Sequence, residues 1–429
     1  MTKFQTVKGM RDFLPQEAIL REKLFSKIKS VFERFGFSPA LTPSLEYYEV
    51  FANKFSIGQE SLKNIYSFED KSGRKLALRF DQTVPLARLI ACNPQIPKPF
   101  KRYEISRVWR YEEIKRGRYR EFWQCDIDTI GSKSMLADAE IIACALQALI
   151  ELGFKDIKMR INNRKILNEI IEGENKNDVL RILDKLDKIG ENGVKKELKK
   201  LNINKKEIEK IFNIISIKGN EKIIAKLESI LKTDEGKSGL NELKDLVETL
   251  KGYFDEKYFE IDLSLARGLD YYTSTIFEMV SSDKSIGSIA GGGRYDKMIS
   301  KFAESKEDIP AVGVALGVER IIELLKAKEE KRKTVTQIFV APVSDENRKD
   351  ALKLAKFLRE RGFKVETDIA GRKLSKQLEY VNSLSIPFCL IVGSEEVKKG
   401  IYKLKDMDKS KEIECSLNEI EDILKNRLF

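Results

Sequence analysis

A chain of 429 residues is too long for one compact core, and a hydrophobic content of 42% is enough to build two or three. The formal charge of +11 suits a polyanionic partner, nucleic acid ahead of a membrane surface, although a general excess of solvated lysines would give the same sum. The chain has no histidine, which excludes an imidazole base, a histidine-ligated metal and any Ser-His or Cys-His nucleophile.

The five cysteines, Cys92, Cys125, Cys144, Cys389 and Cys415, are odd in number and show no Cys-x-x-Cys spacing. They read as reduced, mostly buried thiols rather than a disulfide framework or a zinc site. The longest apolar run, Ile141 to Leu152, breaks at Gln147 and reads as a core helix, too short to span a bilayer. Met1 to Gln5 has no apolar signal region, so a cytoplasmic protein without membrane contact is expected.

In chain order, Pro15 to Phe35 has the spacing of an amphipathic helix, with Leu20, Leu24, Ile28, Phe32 and Phe35 on one stripe and Gly36 as its stop. A short strand, Phe37 to Leu41, follows. Lys101 to Asp128 reads as a strand, an arginine-lined loop and a returning strand, with Gly117 turning the tip. Guanidinium groups beside Phe122 and Trp123 suit a nucleotide, whose phosphates need forked donors and whose base needs a flat face; a charged surface hairpin is the alternative. Asp138 to Leu152 is a helix with Asp138 as N-cap and Gly153 as stop. From about Asn168 to Asp255 the sequence turns to Lys, Ile, Leu, Glu and Asn in a helical pattern, which reads as a helical insertion.

Three segments then stand out: Arg267-Gly-Leu-Asp-Tyr-Tyr-Thr273, Ala290-Gly-Gly-Gly-Arg-Tyr-Asp296 and Ala311 to Ile322. Gly291 to Arg294 has the spacing of neither a P-loop nor a dinucleotide fingerprint, so close backbone approach to substrate is the expected use of its glycines. Lys297 to Lys301 reads as a helix segment after Tyr295. Lys326 to Lys333 is a charge-dense linker. Beyond it, strands at Gln337–Val343, Phe363–Asp368, Pro387–Val392 and Ile401–Lys405, with helices near Asn347–Arg361 and Arg372–Leu384, predict a small α/β domain.

The hairpin with Arg107-Val-Trp-Arg-Tyr-Glu112, together with the stretch ending at Arg320, resembles motifs 2 and 3 of the class II aminoacyl-tRNA synthetases. The Arg-Gly-Leu-Asp-Tyr-Tyr and Gly-Gly-Arg-Tyr-Asp strings resemble the histidine-specific elements of the histidyl-tRNA synthetase family. The resemblance spans nearly the whole chain and is weakest between about Asn168 and Asp255. It implies an α+β catalytic domain, an antiparallel sheet flanked by helices, with a helical insertion and a C-terminal α/β anticodon-binding domain. The implied boundaries are 1–167 and 256–330 for the catalytic domain, 168–255 for the insertion and 331–429 for the last domain. It also implies a homodimer, through the first helix and strand as motif 1, and ATP-dependent attachment of L-histidine to tRNA(His) by way of a histidyl-adenylate.

The roles that the resemblance implies attach to particular residues. Arg110 binds the α-phosphate and the reacting carboxylate, and Arg118 makes a second phosphate contact. Phe122 stacks on adenine, Glu112 bonds near its amino edge, and Arg320 covers its other face. Arg267 is a fixed guanidinium at the α-phosphate, counted with the catalytic and histidine-binding groups. Asp81, Thr83 and Gln124 hold the α-amino group. Asp128 and Tyr272 read the imidazole nitrogens and Tyr295 forms the pocket wall. Tyr271 is placed with this pocket, though packing is the commoner use of such a residue. Where many bacterial members have Glu, this chain has Asp81 and Asp128, as in archaeal and eukaryotic forms. Lys115 and Arg116 are candidates for contact with the tRNA end. Mg²⁺ is expected on the ATP phosphates, and no protein-ligated metal is assigned. A regulatory paralogue would lack the last domain and commonly the equivalent of Arg267, both present here. A proline or threonine enzyme would not need the Arg-Gly-Leu-Asp-Tyr-Tyr string. An idle RNA-binding protein would have no use for Asp81, Gln124, Asp128 and Tyr272 together.

Overall fold

The computed structural model describes residues 4–53, 59–173, 175–283, 286–325 and 333–428. Residues 1–3 and most of the Lys326 to Lys333 linker lie outside that set. The chain divides into two compact units, Met1–Arg11 with Leu24–Ala327, and Asp12–Lys23 with Lys328–Phe429.

In the first unit the strands are β1 (Ser38–Pro39), β2 (Leu45–Tyr47), β3 (Ser67–Glu69), β4 (Lys75–Leu78), β5 (Phe100–Trp109), β6 (Glu121–Ile130), β7 (Ile157–Asn163), β8 (Phe259–Ile261), β9 (Thr275–Ser281), β10 (Ser288–Arg294) and β11 (Ala311–Gly317). Among the described residues, eight form one sheet in the order β1-β5-β6-β11-β10-β9-β7-β8, and β2-β4-β3 form a smaller one. The centre of the large sheet is antiparallel, and β1 and β8 add parallel strands at its edges. The expected strand at Phe37–Leu41 is thus only the two residues of β1.

The helix predicted from Pro15 runs Pro15–Arg34; Leu24, Ile28 and Phe32 are buried, and Phe25 packs at 4.9 Å on the Trp123 ring. Each such fully buried aliphatic or aromatic side chain contributes about 1.5–3 kcal/mol. Helix Met135–Glu151 is buried along most of its length. Its N-cap is Ser134, whose side chain accepts from Leu136 N–H, not Asp138. Asp138 lies in the first turn, fully buried, where it pairs with Arg294 of β10. A buried carboxylate needs a cation more than a helix end needs a second cap. Gly153, at φ +92°, does end the segment.

Between β7 and β8 the chain is helical: Arg164–Ile170, Lys176–Leu183, Leu186–Lys200, Lys205–Ile215, Asn220–Ile230 and Asp234–Lys251. The Lys297 segment contains the short helix Met298–Phe302. Cys125, Cys144, Cys389 and Cys415 are buried free thiols, whereas Cys92 is exposed at the end of its helix. Among the described residues no helix is long and apolar enough to cross a membrane.

The second unit contains β12 (Ile338–Pro342), β13 (Val365–Thr367), β14 (Phe388–Val392), β15 (Tyr402–Asp406) and β16 (Lys411–Cys415), ordered β13-β12-β14-β15-β16. The first three are parallel, and helices Arg348–Glu360 and Leu374–Ser383 form the crossovers. Ile338, Val340, Phe388 and Leu390 face one core and Phe339, Ala341, Cys389 and Ile391 the other. A strand buried on both faces reads as an unbroken apolar run, so β12 and β14 were visible in the sequence. Two elements beyond that expectation close the unit: β16, whose Lys-Glu-Ile-Glu-Cys is exposed save for Cys415, and helix Leu417–Leu428.

Candidate functional site

Strand pairing in the large sheet lines up rows of side chains, because residues directly opposite in register share a face. One row runs Arg102, Asp128, Gly313, Gly293 and Ile276; the next runs Glu104, Asp126, Ala315, Gly291, Glu278 and Arg160. A third pairs Ser106, Gln124 and Gly317. Glycine and alanine in the middle of each row leave a trough between a wall of carboxylates and amides on β5 and β6 and a wall of charged groups on β9 and β7.

The glycines there leave room for side chains of the protein itself. A Cβ on Gly313 would come within 1.9 Å of Asp128 Oδ1, one on Gly291 within 2.4 Å of Arg267 Nη1, and one on Gly293 within 2.8 Å of the Tyr272 ring. The close approach expected at Gly291 and Gly293 is therefore made first by the Arg267 and Tyr272 side chains. Arg294 of the same string is buried and structural: it bonds Asp138 and donates to the carbonyls of Ser132 and Ser134.

At one end of the trough the groups are acidic. Asp81 is buried and accepts at 3.0 Å from Val84 N–H, in the first turn of helix Thr83–Cys92. Tyr271 lies beside Thr83 and packs edge-on to Tyr295 at 6.2 Å, so it links the Asp81–Thr83 loop to the pocket wall. Tyr295 donates at 2.6 Å to Asp128 Oδ1, and Arg102 Nη2 lies 2.9 Å from Asp128 Oδ2. Arg102 and Glu104 are fully buried. Glu104 accepts from Arg79 at 2.6 Å, Arg102 at 3.1 Å, Ser106 at 2.9 Å and Thr42 at 3.0 Å. Among the described residues, buried oxygens here that lack a donor include Asp81 Oδ2, Gln82 Oε1, Gln124 Oε1 and Asp126 Oδ1. Such a gathering of acceptors is stable when donors from a ligand or water complete it.

Burial raises the carboxyl of Asp126 well above its ordinary value; Arg102 opposes this, while Asp128, Glu104 and Asp81 add to it. Burial likewise raises Asp128 and Asp81, opposed chiefly by Arg102 for the first and by Val84 N–H and Arg110 for the second. A carboxyl whose folded pKa is raised binds its proton more tightly in the folded state. Its stabilising contribution is full below the unfolded value near 4 and is lost as pH rises through the folded pKa. The variant Asp126→Asn should therefore be more stable than the parent at pH 8, with a gap that narrows towards pH 5. Melting temperatures across that range check this; a gap independent of pH would refute it.

The other end is basic. Arg110 donates to Phe80 O at 3.0 Å and lies over the Phe80 and Phe122 rings at 4.4 and 5.2 Å. Arg118 is paired with Glu112, so these two nucleotide candidates hold one another here. The loop tip closes between Lys115 and Arg118, with Gly117 at φ +68° against the Arg320 side chain. Arg320 donates to Ser288 O. Its burial, with Arg118, Arg110 and Arg267 all near it and only Glu278 opposing, lowers its pKa. Arg267 is 20% exposed, lies 3.3 Å from Glu278 and 5.9 Å from the centre of the Tyr272 ring. Four guanidinium groups thus converge with too few carboxylates, the electrostatics of an anion site. Lys115 pairs with Glu113 and Arg116 with Glu323, both at the exposed tip.

A family model described as histidyl-tRNA synthetase matches residues 9–321, and one described as an anticodon binding domain matches residues 337–427. The chain is 37% identical over 432 residues to the histidine–tRNA ligase of Pyrococcus furiosus, covering 99% of each. It is 41% identical over 420 residues to that of Aeropyrum pernix, covering 96% of this chain and 95% of that one. The chain belongs to the histidyl-tRNA synthetase family. Its fold is similar to the crystal structure of histidyl-tRNA synthetase from Nostoc, with a TM-score of 0.88, 33% identity and full coverage of both chains.

Within this family frame, three trough residues escaped the sequence reading: Arg102, Glu104 and Asp126. The available signal was charge at alternate positions, Arg102-x-Glu104 and Asp126-x-Asp128, on strands whose other face is apolar. Their meaning depended on cross-strand register.

Proposed function

We propose that the chain attaches L-histidine to tRNA(His) with consumption of ATP, through a histidyl-adenylate formed in the trough. The observation that supports this most is the joining of two unlike ends by Arg267, one poor in donors and the other rich in guanidinium groups. A zwitterionic amino acid carrying a ring N–H suits the first end, since its ammonium offers three donors and its imidazole another. A triphosphate suits the second. Gln124, Asp81 and Thr83 take the ammonium, and Asp128, held by Tyr295 and Arg102, takes a ring nitrogen opposite Tyr272. A ligand lacking ring N–H groups leaves these buried groups unpaired, which sets specificity.

The carboxylate of histidine attacks the α-phosphorus of ATP in line and pyrophosphate leaves. Arg110 and Arg267 offset the charge that gathers there, so the step is promoted by positioning and fixed cations and needs no histidine side chain. Arg118 and Arg320 hold the outer phosphates, Phe122 stacks on adenine, and Glu112 exchanges Arg118 for the base. Mg²⁺ on the ATP phosphates would offset their charge and would need at most one or two carboxylates from the protein. Glu278, set among the arginines, fits that role.

A terminal ribose hydroxyl of tRNA then attacks the carbonyl carbon of the adenylate, forming the ester as the bond to phosphate breaks and AMP leaves, with Lys115 and Arg116 at the loop tip as contacts for the acceptor end. The protein works in the cytoplasm as a homodimer. Leu41, Leu45, Tyr47 and Phe68, 71%, 43%, 46% and 47% exposed, supply an apolar surface that a second copy would cover. Amino-acid-dependent pyrophosphate exchange with all twenty amino acids tests the reading. Exchange with histidine alone is the expected result; exchange with another amino acid, or with none in folded protein, overturns it.

A further inference from the structure

The segment that bears Arg267 leaves β8 and crosses to β9 without regular structure, so something must fix it. From the sheet, Asn162 donates to the carbonyls of Leu263 and Leu265 at 3.3 and 2.9 Å. Further grip comes from the helical insertion. Asn220 Oδ1 accepts from Ile261 N–H at 2.8 Å, and Lys218 lies 3.2 Å from Asp262. Arg160 lies 2.7 Å from both Asp262 and Asp187 of the insertion. Further along, the carboxylate of Asp184, just past helix Lys176–Leu183, faces the backbone of Gly268, next to Arg267; burial raises its pKa and the Gly268 N–H draws it down. Its Oδ2 lies 3.3 Å from where a Cβ on Gly268 would sit, so glycine brings the two close. One helical turn earlier, Arg181 forms an ion pair with Asp270. The carboxylate of Asp184 also acts on the Arg267 guanidinium itself.

We infer that the helical insertion is a positioning element of the adenylation site: Asp184 and Arg181 clamp Gly268 and Asp270, and so hold the Arg267 guanidinium where the α-phosphate reacts. The insertion therefore serves the first half-reaction, in the absence of tRNA. This rests on the reading of Arg267 given above. Asp184 and Arg181 touch neither substrate, and they act by geometry alone. A displacement of about 1 Å in a positioning group costs about 10²-fold in rate.

Histidine-dependent pyrophosphate exchange without tRNA tests the inference, in the full-length protein and in Arg181→Ala, Asp184→Ala, Asp184→Asn and Arg267→Ala variants. Arg181→Ala and Asp184→Ala should lower kcat about 10- to 100-fold while the KM for histidine stays within about twofold. Asp184→Asn, which keeps an oxygen for Gly268 N–H, should recover much of the loss and guards against a misfolded alanine variant. Exchanging the charges, Arg181→Asp with Asp270→Arg, should restore activity relative to Arg181→Asp alone. If kcat stays within twofold in both alanine variants while Arg267→Ala is inactive, the inference falls and the role of Arg267 stands. If Arg267→Ala is itself active, the reading of Arg267 falls and this inference with it. Losses that follow a raised KM for histidine or a collapsed melting temperature, with no recovery in Asp184→Asn, would mark a fold defect and also overturn it.

Discussion

Replacing Arg267 by alanine should lower histidine-dependent pyrophosphate exchange by about 10²–10³-fold, the usual cost of removing one fixed donor to developing charge, with little change in the KM for histidine. The geometry gives the reason for the split. Arg267 lies over Gly291, beside Glu278 and Tyr272, and in the reading proposed above it is not among the groups that take the ring or the ammonium. Its charge matters when the carboxylate and the α-phosphate, both anionic, are brought together. Lysine should recover only part of the activity, because a point charge on a flexible stem does not reproduce a planar fork. Single-turnover adenylate formation separates this step from product release. A variant whose rate is unchanged, or whose loss lies wholly in the KM for histidine, would place Arg267 in substrate binding instead.

Much of the architecture was legible because it is written locally. The alternation in β5 and β6 and the unbroken apolar runs of β12 and β14 each declare their elements within a few residues. The candidate residues on the basic end, Arg110, Arg118 and Arg320, could be named from their strings, and the structure brings them together with Arg267. What stayed hidden depended on partners far away in the chain. Asp138 has the look of an N-cap until Arg294, 156 residues on, is found beside it. Gly291 and Gly313 look like two copies of one signal, yet they make room for different side chains, Arg267 and Asp128. Arg181 and Asp184 vanish among the balanced charges of the insertion, where nothing marks them as facing Asp270 and Gly268. β16 could not be seen because a short edge strand with one buried residue, Cys415, offers too little hydrophobic period to read.

Glu104→Ala should lower stability by about 3–5 kcal/mol, on the order of 10 °C in melting temperature, a larger effect than any exposed ion pair in the chain would give. Glu104 is fully buried and engages Arg79, Arg102, Thr42 and Ser106 at once. Removing it leaves two buried guanidinium groups short of a counter-charge, and the cost of that exceeds the value of the pair itself. Arg79 would keep its bonds to the carbonyls of Thr42 and Arg107, so the charge most exposed to the loss is Arg102. Arg102 would then lean chiefly on Asp128, the residue proposed to read the imidazole, and on Gln82 O, with Asp126 as the other nearby carboxyl. A second readout follows: at a temperature where the variant is folded, its KM for histidine should rise, because Asp128 is drawn towards Arg102 and away from the ligand. Glu104→Gln, which keeps the shape but not the charge, should fall between the two in both measurements. Thermal unfolding and histidine titration on the three proteins decide it. A variant as stable as the parent would mean that water replaces the carboxylate, and that the row from Arg102 to Asp128 holds together without it.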